Sequence, residues 1–347
     1  MFRLPPLLLL LALFSVYAHA DREVIDQLGR KVTIPDRVDR VVVLQHQTLN
    51  LLVQLGATDK IVGVLSNWRE QLGANYARLA PSLATLPAPG DLAHVDPEAL
   101  VALHPQAVFV TNYAPLSMIE RIQNLGIPVI AISLRSGKAE QLATLNPTLE
   151  DEEKAYDEGL KAGIRLIGTV VNRSSQAEEL LTAAFSQRKL IAARLHDIPE
   201  SQRVRVYMAN PELTTYGSGK YTGLMMTHAG AVNVAAATVR GYKQVSMEQV
   251  IAWNPQVILV QNRYPQVINE IKTQPVWQVI DAVQHQRVWL MPEYAKAWGY
   301  PMPEAIGLGE LWLAQKLYPT RFQDIDMQQQ ADRWYRRFYH THYLNDN

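Results

Sequence analysis

Three arginines, Arg69, Arg135 and Arg263, stand just past short apolar runs of this 347-residue chain, with aromatic residues close to them in sequence. A guanidinium offers a planar fork that holds a carboxylate, catecholate or oxyanion through paired hydrogen bonds. Trp68, Tyr113, Tyr216, Tyr221, Trp298 and Tyr300 supply flat walls, and a phenol hydroxyl can donate to oxygen or ligate ferric iron. His46 follows the run VVVLQ, with Gln47 beside it. A neutral imidazole there is able to ligate a metal or to hydrogen-bond a chelate. This lining suits a bulky anionic metal chelate. Each residue also has an ordinary reading. A strand-end Arg is often only solvated, Trp68 and Trp298 serve equally as packing residues, and His46 serves equally as a helix cap. Packing is a less natural role for Tyr216 and Tyr221, which lie in the Gly/Ser-rich stretch TTYGSGKYTG.

Catalytic signatures are missing from the sequence. There is no nucleophile elbow and no P-loop, and the GSG at 217–219 lacks the third glycine of a dinucleotide fingerprint. The chain has no cysteine, which removes iron–sulfur clusters, thiolate zinc sites, cysteine nucleophiles and a lipoprotein anchor. No HxxxH pair or His/carboxylate cluster has metal-ligand spacing, which argues against a bare zinc or manganese site. The expectation is a binding protein, not an enzyme, with no cofactor of its own.

The elements that must position these residues are strands and their carboxyl-end loops. VVVLQ (41–45), IVGVL (61–65), AVFVT (107–111) and PVIAI (128–132) read as buried parallel strands, and RVRVYMA (203–209), VILVQ (257–261) and RVWLM (287–291) repeat the texture later. Ligands of open α/β sheets bind beyond the carboxyl ends of strands, where the residues named above fall. An internal repeat organises the chain. DPEALVALHPQAVFV (96–110) matches SMEQVIAWNPQVILV (246–260) at a gap-free offset of 150. Each copy offers a capping residue, a short helix stopped by Pro, and an apolar strand. Between the copies, residues 150–195 are rich in Ala, Leu, Glu and Lys, which favours helix. The fold class expected is α/β, with two related lobes, each a mostly parallel sheet flanked by helices, joined by a long backbone helix. The divisions expected are a signal peptide at 1–20, an N-terminal lobe at 21–150, a helical linker at 151–196 and a C-terminal lobe at 197–347.

Arg3, the apolar run Leu7 to Val16 and Ala18-His19-Ala20 follow the order of a cleaved secretory signal. Cleavage after Ala20 leaves 32 basic against 33 acidic side chains. That balance gives no basic excess for a nucleic-acid partner, and no later stretch suits membrane insertion. The product expected is a monomer of the periplasm.

In this order the chain resembles the helical-backbone periplasmic binding proteins for siderophores, haem, cobalamin and related ligands. The resemblance is carried by DQLGRKVTIPDRVDRVVVL (26–44), the two Glu-bearing repeats, AGAVNVAA (229–236) and PMPEAIGLGELWLAQKLYP (301–319). It implies the ligand-capturing subunit of an ABC importer, with Glu98 and Glu248 pairing with arginines of the membrane permease. The C-terminal piece looks most like the iron-chelate and metal-binding branch. A ferric siderophore is the first expectation for the ligand and molybdate or tungstate the second, followed by haem, cobalamin or a nickel or cobalt chelate. An exported sensor or adaptor is the alternative class.

Overall fold

The computed structural model describes residues 21–344, so the signal segment at 1–20 lies outside the described residues. Strand β1 (Asp21–Ile25) and β2 (Lys31–Pro35) form an antiparallel hairpin at the start. The first parallel sheet contains β3 (Val41–Val43), β4 (Ile61–Val64), β5 (Ala107–Thr111) and β6 (Val129–Ile132), in the order β4-β3-β5-β6. All four are almost wholly apolar because helices cover both faces of the sheet.

The second lobe carries β7 (Val204–Ala209), β8 (Thr214–Tyr216), β9 (Ala231–Asn233), β10 (Tyr242–Gln244), β11 (Val257–Val260) and β12 (Val288–Leu290). Its parallel sheet runs β12-β11-β7-β9, while β8 and β10 pair separately as an antiparallel ribbon. Read from the other edge, the second sheet has the connectivity of the first. In each, the first strand is internal, the second lies at one edge, and the third and fourth extend the opposite side. The chain direction therefore switches between β3 and β5 and again between β7 and β11, which opens a crevice at each switch point.

Between the sheets runs the backbone helix Glu152–Val170, capped by Asp151, whose side chain accepts from the Lys154 amide. At 1.5 Å per residue its 19 residues span about 28 Å. Tyr156, Leu160, Ile164 and Ile167 bury one stripe of it at helical spacing. Two further helices, Ser174–Phe185 and Arg188–Leu195, complete the linker.

The C-terminal residues cross back to the first lobe. Tyr339 donates from its hydroxyl to Asn50 at 2.8 Å, and Trp334 Nε1 donates to Gln54 at 3.1 Å. Both acceptors sit on the helix His46–Gln54, which leaves the first sheet. Residues 327–343, at the end of the second lobe's sequence, thus pack as a brace between the lobes.

Candidate functional site

At the end of β3 the chain passes through Gln45 into the helix His46–Gln54. The Gln45 amide donates to the Ile132 carbonyl at 3.1 Å, which ties this turn to the end of β6. His46 is buried and packs edge-on against Trp298, with ring centroids 5.4 Å apart. Burial first, and the Arg263 charge second, hold its imidazole well below the ordinary histidine value, so the ring is neutral. His46 Nδ1 and Gln47 Oε1 are both buried without a hydrogen-bond partner.

Beyond β6 lie Ser133 and Arg135, the latter only 1% exposed. The Arg135 guanidinium donates to the carbonyls of Gln141 at 2.6 Å and Thr144 at 3.3 Å, which draws the 139–146 loop over it. Its Nε and the Ser133 hydroxyl have no partner. Gly159 of the backbone helix lets Arg135 sit where it does, because a Cβ at 159 would lie 2.1 Å from the Arg135 Cα.

The second lobe answers with Lys220, also 1% exposed. Its ammonium donates to the Leu145 carbonyl of the first lobe's loop and lies 5.0 Å from the Tyr300 ring centre. Burial, helped by the neighbouring Arg135 charge, lowers its pKa to about 7. The backbone helix grips this loop directly, since Tyr156 OH donates to the Gly219 carbonyl and Glu152 accepts from the Gly219 amide. From β11, Arg263 donates to Gln261 at 2.9 Å and to the Gln71 carbonyl of the first lobe at 3.0 Å. Its guanidinium lies 5.5 Å from the Trp298 ring centre.

The segment Trp298-Gly299-Tyr300 joins these groups. Trp298 contacts His46, Arg263 and Lys296, and Tyr300 lies beside Arg135 and Lys220. Gly299 has φ +81 and packs against Tyr216 and Lys220, a position that a side chain would both strain and crowd. The Tyr300 hydroxyl makes no hydrogen bond of good geometry, although Asn112 and Arg135 lie beside it, and burial raises its pKa. Tyr113, half-buried after β5, lies near Tyr300.

Charge is the decisive feature of the crevice. Arg135, Lys220 and Arg263 are drawn into it without a carboxylate partner among the described residues, whereas Lys296 lies 3.6 Å from Glu304. Uncompensated buried cations are costly, and an anion held between them relieves that cost.

Not every sequence expectation meets here. Trp68 is a core residue, and Arg69 lies over its ring at 4.5 Å, on the surface. The Tyr221 hydroxyl is occupied by Glu310 at 2.9 Å, within a buried group that also holds Arg188 and His228. His46 has no co-ligands: among the described residues no three His, Cys, Asp or Glu side chains converge on a metal position. Lys220 and Lys296 were not singled out by sequence reasoning. Their only signal is proximity in sequence, Lys220 to Tyr216 and Tyr221 and Lys296 to Trp298 and Tyr300. A separate cavity of about 670 Å³ opens beside the crevice, lined by Gly73, Asn262, Arg263, Trp289, Tyr294 and Trp312 among others. Of the crevice cations it touches Arg263 alone.

Residues 41–295 match the family model described as periplasmic binding protein. The chain belongs to that family. The molybdate-binding protein MolA of Haemophilus influenzae is 60% identical over 338 residues, covering 97% of this chain and 96% of the relative. The solved structure of MolA bound to molybdate superposes with a TM-score of 0.93, over 94% of this chain and all of that one. A periplasmic solute binding protein from Veillonella parvula, 26% identical, gives a TM-score of 0.73 over 94% of this chain and 95% of its own. Membership makes this a substrate-binding protein and not an enzyme, with helical-backbone architecture. Among the described residues no helix is long and apolar enough to cross a membrane.

Proposed function

We propose that the chain captures a tetrahedral oxyanion of the molybdate or tungstate type in the interlobe crevice and delivers it to the permease of an ABC importer. The observation that carries this reading is the trio Arg135, Lys220 and Arg263, the first two buried and the third half-buried, without carboxylate partners among the described residues, around unpaired groups of His46, Gln47 and Ser133 and the phenol of Tyr300. A dianion with four oxygens needs a few such groups and little room.

The order of ligands expected from sequence is thereby reversed. A ferric siderophore stood first on the strength of the arginines and aromatics. Its size requires a cleft on the order of 300 Å³ or more, yet His46, Arg135, Tyr216, Lys220, Trp298 and Tyr300 are all nearly shut from solvent, and the neighbouring cavity of about 670 Å³ presents only Arg263 of the crevice cations. The 60% identical relative bears the name of a molybdate binder, which supports the same choice.

Isothermal titration of the purified protein with molybdate, tungstate, sulfate and a ferric chelate panel tests the reading. Saturable one-to-one binding of molybdate and tungstate supports it. Binding of a ferric chelate with no response to either oxyanion overturns it.

Docking is read from the repeat. Glu98 and Glu248 are exposed and free of ion pairs among the described residues. We assign them to basic side chains on the permease, one per lobe, which fixes the register of docking. A signal cleaved near Ala20 delivers the protein to the periplasm, where it works as a monomer.

A further inference from the structure

The two repeat units share more than their glutamates. From Val95 to Val110 and from Val245 to Val260, the sequence of buried, half-buried and exposed positions is the same at all 16 sites. Asp96 caps the helix Pro97–Ala102, and Ser246 caps the helix Met247–Trp253. Both units leave the helix through a left-handed residue, His104 at φ 46 and Asn254 at φ 42, ahead of a buried Pro105 or Pro255. Each helix leads into the amino end of a parallel strand, so each must begin on the carboxyl-end side of its sheet. That is the side of the crevice.

Within this shared geometry one feature lacks a structural reason. Val101 is 43% exposed and Ile251 38%, and these are equivalent positions. A lone exposed apolar residue is ordinary. Here a β-branched aliphatic is exposed in both copies, three residues after the glutamate, which puts it beside the carboxylate on the helix surface. The next residue is an exposed alanine in both, Ala102 and Ala252, small enough to let another surface approach closely.

Resting on the docking reading above, we propose that Glu98 with Val101 and Glu248 with Ile251 are two copies of one contact patch. Their partner is a two-fold symmetric membrane permease that presents, at each of two equivalent points, a basic side chain beside a shallow apolar hollow. Two related lobes fit two equivalent subunits, as symmetric assemblies require matching patches. The carboxylates set approach and register, and the aliphatic side chains hold the docked state by removing apolar surface from water. Since both points engage at once, each strengthens the other through effective concentration.

The test uses the full mature protein and the HI1470/71 transporter of Haemophilus influenzae, reconstituted in nanodiscs, with affinity measured across a salt series. Val101→Ser combined with Ile251→Ser should weaken docking by roughly 20-fold at every salt concentration, leaving the salt slope unchanged. Glu98→Gln combined with Glu248→Gln should weaken docking mainly at low salt and flatten the slope. Both double variants should keep wild-type molybdate affinity and thermal stability, because all four positions are solvent-facing. Wild-type docking by the Val101→Ser/Ile251→Ser protein overturns the apolar half and leaves the electrostatic reading standing. No docking by the wild-type chain, or full docking by the glutamine variant, overturns the reading on which it rests.

Discussion

Arg135 rests its backbone on Gly159: a methyl group at 159 would fall 2.1 Å from the Arg135 Cα and 2.3 Å from its N and C atoms. The backbone helix therefore sets the position of one crevice cation through contact with the first lobe. Three and seven residues earlier the same helix grips Gly219, the neighbour of Lys220, through Tyr156 and Glu152. One helix thus holds a cation from each lobe, and the site is organised before any ligand arrives.

Replacing Gly159 with Ala should push the helix and Arg135 apart. Overpacking of this kind costs about 1–3 kcal/mol of stability, and displacement of the guanidinium should lower molybdate affinity at least tenfold. Gly137→Ala is the control, since nothing lies within 4 Å of a Cβ there. Thermal unfolding and titration calorimetry read both quantities; equal molybdate affinity in Gly159→Ala and wild type would show that the contact does not position the site.

The sequence carried the fold well because its signals were local or repeated. Apolar runs such as VILV mark strands buried on both faces, and the offset of 150 marks the duplication. Strand ends also locate loops, which is why five residues nominated from the sequence meet in the proposed site. His46, Arg135, Arg263, Trp298 and Tyr300 all lie in the crevice. What could not be read was which way each side chain turns. Tyr221 and Lys220 are adjacent in the same loop, yet Tyr221 begins a helix and turns to Glu310 while Lys220 turns to Tyr300. Trp68 fills core space for the same kind of reason. Such choices depend on partners far away in sequence, to which no local pattern refers.

Lys220 should make affinity depend on pH. Its pKa of about 7 lies far below the ordinary lysine value of 10.5, with burial the main cause and Arg135 the next. A dianion binds the charged ammonium, so affinity should fall as pH rises from 6 to 9, by about tenfold per unit at the steep end. The sign for stability without ligand is opposite. Between pH 7 and 10.5 the unfolded chain binds the proton that the folded one lacks, so this residue adds stability as pH rises through that window. Lys220→Met should lose affinity at pH 6 and flatten both profiles. A Met variant that keeps the wild-type pH profile for binding would remove Lys220 from the site.

Glu304 is buried and accepts from Asn50 at 2.9 Å and Gln54 at 2.9 Å, with the Tyr339 hydroxyl, shared with Asn50, at 2.7 Å and Lys296 at 3.6 Å. Removing its charge leaves Lys296 uncompensated. Glu304→Gln should therefore lower stability by about 3–5 kcal/mol, seen as a lower urea midpoint. The same change frees a fourth crevice cation, so molybdate affinity should rise several-fold. Opposite signs on the two measurements separate this electrostatic effect from general damage, which would lower both.

Arg263 bridges the lobes, with one donor on Gln71 of the first and another on Gln261 of the second, and its guanidinium lies against Trp298. Arg263→Leu keeps apolar bulk beside Trp298 but removes the charge. Loss of charge-assisted hydrogen bonds to an oxyanion costs about 1.5–3 kcal/mol, roughly a 10- to 150-fold loss of affinity. The variant should also change His46, whose pKa is lowered first by burial and second by Arg263. Removing the second cause should move the imidazole upward yet leave it below its ordinary value, because burial remains. Histidine NMR titration of the variant reads that shift. An unchanged His46 together with unchanged molybdate binding would show that Arg263 faces the neighbouring cavity and not the ligand.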